Sequence, residues 1–98
     1  KILVMASLNC VQKNNNTYTK VRVVRDSTEI AKIDEGAGYT DNSNNNIIGS
    51  ISCHLLDSPA TTSTVTYKLQ FASVSNISTT LVQVNNSLSS IILMEVSA

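Results

Sequence analysis

Apolar and polar residues alternate along this chain in short runs set between polar, turn-forming stretches, and the runs are of two kinds. Three are apolar at both parities. Ile2–Val11 sets Ile2, Val4, Ala6, Leu8 and Cys10 on one side, with Leu3, Met5, Ser7 and Asn9 on the other. In Ile47–Leu56, residues Ile47, Ile51, Cys53 and Leu55 oppose Ile48 and Leu56. The last run, Ser90–Val96, sets Ile91 and Leu93 against Ile92, Met94 and Val96. Each is short and rich in β-branched or large aliphatic residues, which predicts strands rather than helices. A strand that is apolar on both faces has to be covered on both.

Three other runs have one wet face. Tyr18–Arg25 places Val21 and Val23 in and Lys20 and Arg22 out. After a tight Asp26-Ser27 turn, Thr28–Asp34 carries Ile30 and Ile33 with Glu29 and Lys32, so the pair predicts a hairpin. Ser63–Ala72 alternates most clearly, with Val65, Tyr67, Leu69 and Phe71 in and Thr64, Thr66, Lys68 and Gln70 out. Leu81–Val84 predicts a further short strand. Polar turns are expected at 12–17, at 57–62 around Pro59, at 73–78 and at 85–87, and the longest loop at Glu35–Asn46.

Grouping strands of like character gives two sheets. The expected fold is an all-β, antiparallel two-sheet jelly-roll sandwich with little or no helix, a single domain over residues 1–98. The sheet holding the doubly apolar strands then needs a second cover, and a neighbouring subunit is the expected source. Parity does not fix which side faces out. One outer set, Leu3, Met5, Ile48, Leu56, Ile91 and Leu93, is expected to line an oligomer interface. The chain opens inside a strand, at Lys1-Ile2-Leu3-Val4, and is expected to be the C-terminal part of a longer protein with one or more strands upstream.

Composition narrows the function classes. Lys and Arg number seven, as do Asp and Glu, so net charge is zero, and only Lys20, Arg22 and Arg25 form a small basic group. That leaves no electrostatic footprint for nucleic acid. No apolar run is long enough to span a bilayer as a helix, so membrane insertion is not expected. Ser, Thr and Asn make up about a third of the chain, which fits a β-rich surface or structural protein better than a pocketed enzyme. Cys10 and Cys53 sit inside apolar alternations and show no metal or redox spacing, so free buried thiols are expected, with pairing left open.

The strand order resembles the trimeric jelly roll of tumour-necrosis-factor-like cytokines and the globular heads of complement-type collagens. Three segments, Lys1–Val4, Asp57–Lys68 and Ser90–Val96, look like the C-terminal domains of tail-fibre or other virion proteins of marine bacteriophages. The resemblance implies a homotrimer located in the virion, in contact with other virion proteins, and it carries no catalytic residue or cofactor. It makes a non-enzymatic tip module for host-surface attachment the leading expectation. The alternatives are a structural module for capsid decoration or fibre trimerisation, and an extracellular, secreted binding domain of the cytokine or complement-head type.

Candidate chemistry is sparse. His54 lies three residues before Asp57 among many serines, but no nucleophile elbow accompanies them, and a strand-face or interface histidine is the favoured reading. Asp34, Glu35 and Asp41 flank the Gly36–Gly38 loop without the spacing of a calcium loop, so no metal is expected. Sequons begin at Asn15, Asn76 and Asn85 and are incidental if the source is a phage. The best recognition candidates are Tyr39, Asp41, Asn42 and Asn44 in the long loop, whose flat ring and amide groups suit a host glycan or protein surface.

Overall fold

The computed structural model describes residues 1–74 and 78–97. Among these residues, seven strands build two antiparallel sheets packed face to face: β1 (Ile2–Lys13), β2 (Thr19–Arg25), β3 (Thr28–Ala37), β4 (Asn46–Asp57), β5 (Tyr67–Ser73), β6 (Thr80–Leu81) and β7 (Ser90–Glu95). A 3₁₀ turn at Val84–Asn86 is the only helical element among the described residues. The expectation of an all-β sandwich holds. Sheet A runs β4-β1, with β6 and β7 both on the far side of β1; sheet B runs β3-β2-β5. The doubly apolar strands therefore share sheet A and the half-wet strands share sheet B, as their patterns required.

The core lies between β1 and β2. Val4, Val23 and Tyr67 form one buried cluster, Leu8, Val11 and Val21 a second, and Ile33 and Leu69 touch both. Val4, Val11 and Val23 are fully buried. At one end a polar clasp ties the sheets together. Asp57 at the end of β4 accepts hydrogen bonds from Arg25 on β2 and from the Tyr67 hydroxyl on β5, the latter at 2.6 Å. Burial would raise the Asp57 carboxyl, but the bonds from Tyr67 and Arg25 outweigh it and hold it below its usual value. Burial and the bond to Asp57 push the Tyr67 hydroxyl up to about 12.

Strict alternation fails at two bulges. Between the pairs Leu8↔Ile51 and Val11↔Gly49, β1 carries one extra residue, where Cys10 takes a left-handed φ of 49°. Beyond it the inward positions are Val11 and Lys13, both 0% exposed, rather than Cys10. Between Val11↔Gly49 and Gln12↔Ile47 the extra residue is on β4, which turns Ile48 against the core and leaves Ile47 exposed, the reverse of the expected order. Gly38 is required above this point. Its φ is +76°, and a Cβ there would meet Ile48 Cγ2 at 2.5 Å.

Two predicted elements are shorter than expected. Residues 63–66 precede β5 without joining it, although Val65 still packs on the core. Only Thr80 and Leu81 pair with β1, and the chain then turns through left-handed Gln83, Asn85 and Asn86. The turn predicted at 73–78 lies partly outside the described residues.

Candidate functional site

The outward face of sheet A is built from three cross-strand rows. Leu56, Leu3 and Met94 form the first, His54, Met5 and Ile92 the second, and Ser52, Ser7 and Ser90 the third. Apolar side chains thus fill one end of the face and hydroxyls the other. Leu56, Ile92 and Met94 are each about half exposed, at 52%, 52% and 51%. Neighbouring side chains in such rows lie within about 5.5 Å at Cβ, so the five apolar residues form one patch.

Of the six residues proposed for an interface, Leu3, Met5 and Leu56 lie on this face. Ile48 is turned into the core by the β4 bulge. Ile91 and Leu93 stand opposite Ala6 and Val4, whose side chains point inward, so their expected outward placement is corrected in favour of Ile92 and Met94. Sequence parity could not find this, because β7 is apolar on both faces; its register against β1 decides.

The outward face of sheet B is charged. Arg22 lies between Lys32 on β3 and Gln70 on β5; it donates to Glu29 at 3.0 Å and to Gln70 at 2.9 Å. With Lys20 and Glu35 these residues line a shallow groove of about 330 Å³.

The recognition candidates sit on a loop that is anchored from beneath. Lys13, fully buried, donates its ammonium to the carbonyl of Asn15 at 2.9 Å, to the Thr40 hydroxyl, and to the carbonyl of Asn42 at 3.1 Å. Asn42 Oδ1 also accepts from the backbone N–H of Asn44 at 3.0 Å. Asn42 thus braces the loop through its carbonyl and its side-chain oxygen while staying exposed, as Asp41 and Asn44 do. Tyr39 is 58% exposed and stands edge-on to Tyr18, ring centres 5.8 Å apart. Sequence reading missed Lys13 altogether. It sits in a run of polar residues, and only the bulge upstream turns it inward.

The remaining candidates are scattered. His54 faces out from β4 while Asp57 faces in towards Arg25, so the two do not meet. Asp34 accepts from the N–H of Gly36, and among the described residues no three Asp, Glu, His or Cys side chains gather into a metal-holding group. Cys10 and Cys53 are unpaired with each other, each partly buried, and burial pushes the Cys53 thiol up. Asn15 and Asn85 are exposed, and the third sequon, at Asn76, lies outside the described residues. No family model, curated protein or solved structure matches this chain.

Proposed function

We propose that this chain is a non-enzymatic assembly module that associates as a homotrimer through the outward face of sheet A and displays its loops to a partner. The patch of Leu3, Met5, Leu56, Ile92 and Met94 carries this reading. Judged from the exposures of its members, it covers on the order of 300–400 Å², as large as the biggest patch of many soluble monomers. Burying it would contribute roughly 8–10 kcal/mol per chain before the cost of association. Closed symmetry is the usual way to shield such a face. The three-fold choice and the setting, the tip of a bacteriophage fibre or spike, rest on the resemblance of Lys1–Val4, Asp57–Lys68 and Ser90–Val96 to phage virion domains.

The braced loop around Tyr39 is the surface offered to a host glycan or protein in this reading. Lys13 holds the loop from below, so ordering it on binding costs little. Binding of the natural protein to host cells, compared with its Tyr39→Ala and Asp41→Ala variants, tests that part. Loss of adhesion in the variants with unchanged subunit mass supports it; binding to capsids and to no host cell would replace attachment with decoration.

A further inference from the structure

The outward side chains of sheet A run, row by row, from Leu56, Leu3 and Met94 through His54, Met5 and Ile92 to Ser52, Ser7 and Ser90. In these rows only His54 changes its charge near neutral pH. The alternation of β4 puts it there: Ser52, His54 and Leu56 point out, while Ile51, Cys53 and Leu55 pack towards the core. His54 holds the middle row, between the aliphatic end of the face and its hydroxyl end. With Met5, Ser7, Ser90 and Ile92 it lines a hollow of about 320 Å³.

Among the described residues no carboxylate shares this face with it. Its β1 neighbours are Leu3, Met5 and Ser7, and Lys1, two residues before Leu3 at the rim, carries only positive charge. On β7 it meets Ser90, Ile92 and Met94; Glu95 pairs with Ile2, on the parity of buried Val4. On its own strand Asp57 turns the other way, to Arg25 and Tyr67. Leu88 and Ser89, ahead of β7, reach Asn9 through neutral groups. A second copy packed through the same face brings the same side chains and so adds no carboxylate.

Such surroundings treat the two forms of the ring differently. Neutral imidazole has one donor and one acceptor, and the serine hydroxyls one row away can satisfy either. Imidazolium has two donors and a charge. Covered by Met5, Ile92 and a neighbouring copy, that charge would lose its water and find no counter-ion, which is costly. In the free subunit the ring is exposed and takes up a proton without that penalty.

We propose, on the homotrimer reading of this face, that His54 makes assembly pH-dependent: subunits associate while the ring is neutral and separate when it is protonated. The free subunit then binds more protons than the trimer, so assembly is complete above the histidine range and is lost as the pH falls through it. Each trimer carries three such rings. Its apparent association constant should therefore fall by up to about 1,000-fold for each pH unit below that range. The Asp57 carboxyl titrates below about pH 4, so the subunit stays folded through this window.

The test follows the mass of the natural protein by light scattering from about pH 8 to about pH 5, with circular dichroism and the ring C–H resonance read on the same samples. His54 is the chain's only histidine, so that resonance is unambiguous. Mass should drop from three subunits to one folded subunit as the ring signal shifts, and the drop should move to lower pH as protein concentration rises. A ring still neutral in an intact trimer at about pH 5 shows the same linkage. His54→Gln and His54→Leu, both uncharged, should keep three subunits throughout. A protonated ring in an intact trimer overturns the proposal, as does a variant that dissociates over the same range or a loss of the β spectrum there. A monomer at about pH 8 refutes the trimer itself, an outcome distinct from a trimer indifferent to pH.

Discussion

On the outside of sheet A, Leu3 lies between Leu56 and Met94; on the outside of sheet B, Arg22 lies between Lys32 and Gln70 and bonds Glu29. Both faces follow the same two-residue period on a central strand. Sheet B satisfies its outward side chains with water and with each other. Sheet A presents aliphatic carbon that neither water nor its own chain can satisfy. The difference shows that alternation alone establishes a strand, while the content of the second parity says whether that strand ends at solvent or at another surface.

The largest contrast should come from placing a carboxylate on either side of sheet A. Val4→Asp buries an unpaired charge at a fully enclosed site and should abolish folding, seen as loss of the cooperative thermal transition. Ile92→Asp, outward on the strand beside β1, should cost the isolated subunit less than about 1 kcal/mol and leave the same circular dichroism spectrum.

Removing polar anchors should give intermediate effects. Asp57→Asn weakens the clasp between the sheets, with an expected loss of about 2–3 kcal/mol in urea unfolding. Because the Asp57 carboxyl is held below its usual value, its contribution is complete above about pH 4 and is lost as the pH falls through the lower folded value. The variant should flatten that acid limb. The raised Tyr67 hydroxyl acts at the other extreme. Stability should fall as the pH rises from 10 through about 12, and Tyr67→Phe should remove that slope. Lys13→Met leaves the Thr40 and Asn42 acceptors without their donor, and should cost about 1–3 kcal/mol while speeding exchange over residues 39–45. The smallest effect is expected on sheet B. Arg22→Gln breaks an exposed ion pair and should change stability by less than about 1 kcal/mol with no change in mass.

The division into two sheets was legible because Leu3, Met5, Ile92 and Met94 fill a parity that Arg22, Lys32 and Gln70 fill elsewhere. Positions past the bulges were not. Nothing about Asn9-Cys10 on β1 or Ile48-Gly49 on β4 advertises an extra residue, so Lys13 read as part of a turn and Ile48 as outward. The facing of β7 was closed to pattern for another reason: both its parities are apolar, and only pairing of Val4 with Leu93 orients it. The Arg25–Asp57–Tyr67 clasp joins residues from three strands, and no spacing along the chain announces it. The loop candidates were placed by composition, which identified an exposed Tyr39 but could not show that Asn42 serves the loop itself.

Light scattering on the natural protein and its Ile92→Asp variant tests whether the outward face of sheet A is an interface. Three subunits are expected for the natural protein at micromolar concentration and one folded subunit for Ile92→Asp. A well-folded monomer in the natural protein, or an Ile92→Asp variant that keeps the natural mass, would contradict it.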